Sequence, residues 1–146
     1  MTDFIDYELL QYDLQAAVVA QTASLGFKKV FVNASERDFN YDNMSLLDIR
    51  IKQADPEAIT NATYYTDITL EGEVCAYSFQ SREEAAKLRG ELVNALQRFV
   101  KDNPRFSSQL ETTIIGRVDF GTGESKAEGA FVAGAVLEFH LKIYTE

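Results

Sequence analysis

The first segment of the chain with a helical pattern spans residues 7–25. Its apolar positions recur at helical spacing, and they are Tyr7, Leu10, Leu14, Ala17, Val18 and Leu25. Asp6 is placed to cap the start of this helix, and Gly26 is placed to end it in the left-handed conformation.

A second helix is predicted from residue 81 to residue 103. Ser81 and Glu84 form a capping box at its start, and Asn103-Pro104 ends it. The apolar stripe between them consists of Ala85, Leu88, Leu92, Ala95, Leu96 and Phe99.

Alternating apolar and polar residues predict five strands. They are "FKKVFVNA" (27–34), "SLLDIRIK" (45–52), "TYYTDITLEGEVCAYSF" (63–79), "ETTIIGRVDF" (111–120) and "AFVAGAVLEFHLKIYTE" (130–146). Asp55-Pro56 is interpreted as the turn that breaks the second strand, and residues 33–44 as a long polar loop. In the last strand one face is shared by Phe131, Ala133, Ala135, Leu137, Phe139, Leu141 and Ile143. The prediction is a single α+β domain, residues 1–146, with a mixed, mainly antiparallel sheet of about five strands packed by two main helices in the order α-β-β-β-α-β-β.

The glycine-rich stretch "VDFGTGESKAEGAFVAG" (118–134) resembles a phosphate-binding loop only superficially. Gly116 and Gly121 have the separation of that motif, but Thr122 stands where its lysine belongs. The segment that follows alternates as a strand, so no helix N-terminus is available for a phosphate. We therefore predict a hairpin connection of about nine residues, "GTGESKAEG", that contacts a protein neighbour.

Composition narrows the functional classes. The chain has 146 residues, 46% of them hydrophobic, and a net charge of −9, which is typical of a globular protein and argues against wrapping nucleic acid. Cys75 is the only cysteine, so neither an internal disulfide nor a cysteine-based zinc site is expected. The acidic start "MTDFIDYELLQYDLQ" does not resemble a signal peptide, and no apolar run approaches the roughly 18 residues of a membrane span. We expect a protein of a reducing cytoplasm with no membrane association.

The polar candidates do not assemble into an enzyme site. His140 is predicted to be an edge or surface residue, and Cys75 to be a small apolar filler in a strand. Asp38, Asp42 and Asp48 lack the spacing of a calcium loop and are interpreted as a solvated acidic loop. We predict no enzyme activity and no catalytic, cofactor-binding or metal-binding residue. The candidate assembly contacts are four aromatic residues near polar loops and three charged residues of the hairpin loop: Phe39, Tyr41, Tyr64, Tyr65, Glu124, Lys126 and Glu128.

The order, length and texture of the whole chain resemble the tail terminator (tail completion) proteins of long-tailed bacteriophages. The resemblance covers nearly the full length. It lies in the helix "YELLQYDLQAAVVAQTASLG", the strand "TYYTDITLEGEVCAYS" running directly into "SREEAAKLRGELVNALQRF", and the closing hairpin that ends in "AGAVLEFHLKIYTE".

That resemblance implies a structural virion protein of the tail or neck, assembled in the host cytoplasm. Such a protein forms a homohexameric ring that caps the tail tube, stops its polymerisation and meets the head-completion or connector protein. It implies no cofactor and no sequence-specific nucleic-acid contact, although DNA passes through the ring. An acidic surface suits such a passage. Two alternatives remain open, namely a head-completion, connector or other neck protein, and a small cytoplasmic α+β binding module.

Overall fold

The computed structural model describes residues 4–21, 26–33, 45–120, 125–127 and 130–145. Two helices cover one face of a single sheet; they are α1 (Tyr7–Val19) and α2 (Arg82–Asp102). The strands are β1 (Lys29–Val32), β2 (Leu46–Ala58), β3 (Tyr64–Ser78), β4 (Thr112–Asp119), β5 (Ser125–Ala127) and β6 (Ala130–Thr145). The predicted α+β class and the order α-β-β-β-α-β-β are confirmed, with the three-residue β5 as an addition.

The sheet has the strand order β1-β2-β3-β6-β4, and β5 pairs with the start of β6. Only β1 and β2 run parallel, and the other pairs are antiparallel. The central pair β3–β6 is in register from Tyr64 opposite Thr145 to Ser78 opposite Phe131. The sheet is therefore mixed and mainly antiparallel, as the alternation predicts.

The hydrophobic core lies between the two helices and one face of the sheet. Helix α1 packs on β1 and β2, whereas α2 packs on β3, β6 and β4. The central strands contribute fully buried side chains at every second position: Ile68, Leu70, Val74, Ala135, Leu137, Phe139, Leu141 and Ile143. Because these residues match the predicted in-facing set, the period-2 pattern identified the covered face correctly.

Both helices begin where capping residues predict. The Asp6 carboxylate accepts a hydrogen bond from the backbone N–H of Leu9 at 3.1 Å. The Ser81 hydroxyl accepts one from the N–H of Glu84 at 3.1 Å. Each bond satisfies a backbone donor that the first helical turn leaves open.

Helix α1 ends earlier than predicted, at Val19 instead of residue 25. A tighter turn follows, in which the N–H of Gln21 donates to the carbonyl of Val18. Gly26 does have a positive φ of 90°, but it precedes β1 and does not cap the helix. A Cβ at Gly26 would lie 3.3 Å from Leu92 of α2, so the chain passes close to the second helix there.

The predicted turn at Asp55-Pro56 is wrong, because β2 continues through both residues to Ala58. Strand β1 pairs with the first four residues of β2, so within the described residues the rest of β2 forms an edge of the sheet. Proline lacks a backbone N–H, which matters little at an edge position. The turn lies at residues 59–63, where the Thr60 hydroxyl accepts hydrogen bonds from the N–H groups of Ala62 and Thr63.

Two β-bulges lie at the same level of the sheet. In β2 the register shifts between Ile51 and Gln53, and in β4 it shifts between Ile115 and Val118. Each bulge places one extra residue in a strand that flanks the central pair.

Part of the predicted nine-residue hairpin connection is strand, because residues Ser125–Ala127 form β5 and pair with Ala130–Val132 of β6. Residues 121–124 and 128–129 lie outside the described residues, as does 34–44, most of the predicted polar loop.

Candidate interaction surfaces

The second face of the sheet carries neither of the two described helices, and we call it the open face. Alternate residues of β2, β3 and β6 place charged side chains on it in rows across the strands. One row joins Arg50, Glu71 and Glu138, and another joins Asp55, Asp67 and Lys142. Apart from the exposed Asp55, these side chains are part-buried, and acids and bases of neighbouring strands pair across the face.

Lys52 lies at the centre of this layer. Its ammonium group is 3.0 Å from Glu138 and 3.8 Å from Glu71. The hydrogen bond with Glu138 raises the pKa of Lys52 and lowers the pKa of Glu138. Lys52 is the extra residue of the β2 bulge, so the bulge places this cation between two acidic strands.

His140 lies in this layer between two carboxylates. Its Nδ1 is 3.6 Å from Asp67 and its Nε2 is 3.5 Å from Glu138. The ring covers Gly116 of β4, where a Cβ would come within 2.5 Å of it. The predicted surface location is correct in part, since His140 is half-buried on the open face, but it belongs to a central strand and not to an edge. Both ring nitrogens face carboxylates at distances too long for good hydrogen bonds.

Asp48 does not belong to a solvated loop. It lies in β2, is fully buried, and forms an ion pair with Arg50 that raises the pKa of the guanidinium. Next to it on β3, loss of hydration raises the pKa of Glu73, and the nearby Arg50 only partly offsets this. Asp38 and Asp42 lie outside the described residues.

Cys75 lies in a strand, β3, as predicted, and is part-buried. Loss of hydration raises the pKa of its thiol to about 12. A reactive cysteine needs a lowered pKa, so the direction of this shift agrees with the predicted role of a small apolar filler.

A shallow depression of about 290 Å³ lies on the open face near β4. Its lining is mostly charged, with both signs present: Lys52, Glu71, Arg117, Asp119, Val136 and Glu138. Such a lining differs from the apolar walls of ordinary small-molecule pockets. The depression is better suited to polar contacts with a protein surface.

The two edge strands of the sheet differ in how far other parts of the chain contact them. At the β1 edge, Gln15 of α1 donates a hydrogen bond to the Val30 carbonyl at 2.9 Å. At the other edge, β4 is the outermost strand and Ile114 is 54% exposed. An edge strand of eight residues is a ready site for strand pairing with another chain.

The structure separates the two predicted tyrosines of β3. Tyr64 is 42% exposed and lines a shallow depression of about 250 Å³ with Phe4, Tyr7 and Pro56. Tyr65 lies on the open face, where its ring centroid is 4.7 Å from that of Tyr144.

The side chains of the other five predicted contact residues are not part of the description. Lys126 lies in β5, and its side chain is outside the description. Phe39, Tyr41, Glu124 and Glu128 lie outside the described residues altogether. Tyr64 and Tyr65 are the two predicted contacts whose side chains the structure describes, and they lie on different surfaces; the contact site as a whole stays a prediction.

Sequence reasoning missed the outer side of α1. Leu10, Leu14 and Val18 face the sheet, but Leu9, Tyr12 and Val19 are exposed by 44%, 51% and 49%. The pattern that reveals this is the presence of apolar residues all around the helix, "YELLQYDLQAAVV". One side of α1 is buried against the sheet, and the exposed outer side is also apolar. Such an outer side is a candidate surface for contact with another protein.

Within the described residues, no helix is long and apolar enough to span a membrane, and no three His, Cys, Asp or Glu residues are grouped so as to hold a metal ion. The candidate interaction surfaces are the charged open face, the β4 edge and the outer side of α1. A comparison with known protein families and with curated proteins gives no match for this chain.

Proposed function

We propose that this protein is a structural virion protein, a tail terminator whose ring caps the tail tube and meets the head connector. The observation that carries the proposal is the fold itself. The N-terminal helix, the strand that runs directly into the capped second helix, and the closing hairpin occur in the order that the resemblance requires.

The surfaces support an assembly role. A ring of identical chains needs heterologous contacts, in which one side of each copy meets the opposite side of the next. The β4 edge at one side of the sheet and the second half of β2 at the other, which no described strand covers, offer such a pair of sides. The layer of ion pairs on the open face adds a large polar surface of the kind that protein partners bind.

The test is the loss of this chain from the virus that encodes it. We expect a nonsense mutation in its coding sequence to give tails of abnormal length in electron micrographs of the lysate. Heads without tails and tails of normal length would point instead to a connector or other neck protein. Virions of normal yield and tail length would contradict both roles.

The predicted contact loop can be tested in the same system. A deletion of residues 122–128 would remove β5, so substitution is the cleaner change. We expect Glu124→Ser, Lys126→Ser and Glu128→Ser, combined, to leave the circular dichroism spectrum unchanged and to fail in restoring tail length. Asn61→Ser, at an exposed position of the β2–β3 turn, is the control and is expected to restore it.

A further inference from the structure

We propose that the second half of β2, residues 54–58, accepts an extended segment of a basic partner protein as an additional edge strand. The segment carries a basic, an apolar and a second basic residue in succession. The proposal goes beyond the proposed function, which takes this half of β2 as one side of a contact between copies. A second copy of the chain is therefore the rival occupant of this edge.

The backbone of this half of β2 is open to a new strand. Residues of an antiparallel strand alternate between bonding one neighbour and pointing to the other side. The N–H of Ile59 donates to the Thr63 carbonyl at 2.8 Å, so odd-numbered residues of this half bond to β3. Ala54, Pro56 and Ala58 therefore point outward. Within the described residues no hydrogen bond reaches the N–H of Ala54 or of Ala58.

The cover of β2 ends just before this half. Strand β1 pairs with β2 as far as Ile49. One step further, the amide oxygen of Gln11 accepts a hydrogen bond from the N–H of Ile51 at 2.9 Å. Beyond the bulge no described strand takes the outward position, and Pro56 and Ala58 are exposed. A partner strand would begin where these two contacts stop.

On the open face this edge is acidic. Asp55 and Glu57 are exposed, and within the described residues no ion pair joins either carboxylate to a cation. Lys52 precedes them in β2, but its ammonium binds an acid of β6 at 3.0 Å. Lys142 of β6 binds an acid of β3. The two edge carboxylates are therefore left for cations from outside the chain.

The sequence around this edge contains no cation of its own. Neither residues 4–21, which include α1, nor residues 53–81 hold a lysine or an arginine. A segment that places one basic residue opposite each edge carboxylate is the complementary partner. Strand β4 of a second copy matches only in part, because its Val118 stands between Arg117 and the acidic Asp119.

On the helix side this edge borders an apolar depression. Pro56 and the rings of Phe4, Tyr7 and Tyr64 contribute to the lining of a space of about 250 Å³. Successive side chains of a strand point to opposite faces, so the residue between two basic residues faces this depression. Main-chain bonds at a sheet edge, with a pocket for alternate side chains, are the means by which sheet edges bind peptides.

Pro56 fixes the hydrogen-bond pattern at the centre of the segment. It has no N–H, so the apolar residue opposite it donates its own N–H to the Pro56 carbonyl and receives no bond in return. The residues opposite Ala54 and Ala58 exchange bonds in both directions. An antiparallel segment centred on Pro56 would thus form about five main-chain hydrogen bonds.

A designed peptide tests the proposal on the purified full-length chain. The probe is fluorescein-labelled Thr-Val-Lys-Leu-Lys-Val-Thr, and fluorescence anisotropy measures its binding. Exchanging the leucine with the lysine before it keeps the composition and is expected to weaken binding at least about tenfold. Methylation of the leucine N–H removes the bond to Pro56 and is expected to weaken binding about five- to tenfold.

Variants of the chain test the two edge carboxylates. We expect Asp55→Asn combined with Glu57→Gln to weaken binding about three- to tenfold with an unchanged circular dichroism spectrum. Glu83→Gln combined with Glu91→Gln removes the same charge from exposed positions of α2 and is the matched control. We expect this control to bind as tightly as the unchanged protein.

Several outcomes would overturn the proposal. Equal binding of the parent, exchanged and methylated peptides would mean a general attraction to an acidic protein. No binding at about 1 mM peptide would mean that the edge accepts no such strand. Self-association of the chain that the peptide competes away would mean that a second copy occupies the edge. Tail length in infected cells is a separate measurement, so failure of this site and failure of the proposed function are distinguishable.

Discussion

Gln11 shows how one side chain joins α1 to the sheet. It is fully buried, its amide oxygen accepts a hydrogen bond from the N–H of Ile51 at 2.9 Å, and its amide nitrogen donates to Glu8 at 2.9 Å. Ile51 lies just beyond the part of β2 that β1 covers, so Gln11 takes the place of a missing strand. Sequence reasoning passed over this residue, because a polar side chain within a helical stripe gives no indication of a partner forty residues away.

We expect Gln11→Ala to lower the free energy of unfolding by about 1–3 kcal/mol, since the N–H of Ile51 would lose its partner in a part-buried place. Urea denaturation followed by far-UV circular dichroism measures the change. Gln97→Ala on the exposed side of α2 is the matched control, with an expected change within about 0.5 kcal/mol. Equal effects of the two substitutions would show that the Gln11 bond contributes nothing.

At the scale of elements, β3 and α2 were predicted almost to the residue, because local sequence signals determine where each of them begins and ends. Alternation over Ile68, Leu70 and Val74 requires a covered face, and Ser81 starts the helix locally. The end of β2 was mispredicted because Pro56 is tolerated only at an edge, and edge position depends on how short β1 is. The ion pairs of the open face were equally out of reach, since they depend on the register between strands.

Substitution by alanine is expected to have opposite effects on stability at two glycines, Gly72 of β3 and Gly90 of α2. Gly72 of β3 makes room for the ring of Phe139, because a Cβ there would lie 2.7 Å from that ring. Gly90 of α2 has open space around it. We expect Gly72→Ala to lower the melting temperature, at a cost of about 1–3 kcal/mol for overpacking the core. We expect Gly90→Ala to raise it through about 0.5–1 kcal/mol of better helix propensity. A Gly72→Ala variant as stable as Gly90→Ala would mean that Phe139 moves aside without cost.

At the scale of the whole molecule, one core joins both helices to every strand of the central sheet. We therefore expect a single cooperative unfolding transition. Tyrosine fluorescence reports on tertiary contacts of the chain's seven tyrosines, that of Tyr65 with Tyr144 among them, and far-UV circular dichroism reports on secondary structure. The two urea curves should coincide, and an earlier fluorescence midpoint would show that tertiary contacts are lost before the secondary structure unfolds.

The two bulges also determine which shapes can lie against the open face. Strands β2 and β4 each hold one residue more than the central strands beside them at the level of Phe139. A surface whose margins are longer than its middle takes the form of a saddle, and bulges add to the right-handed twist in the same sense. A flat partner would touch such a saddle along a narrow band only. The open face is therefore matched to a partner with the reverse curvature.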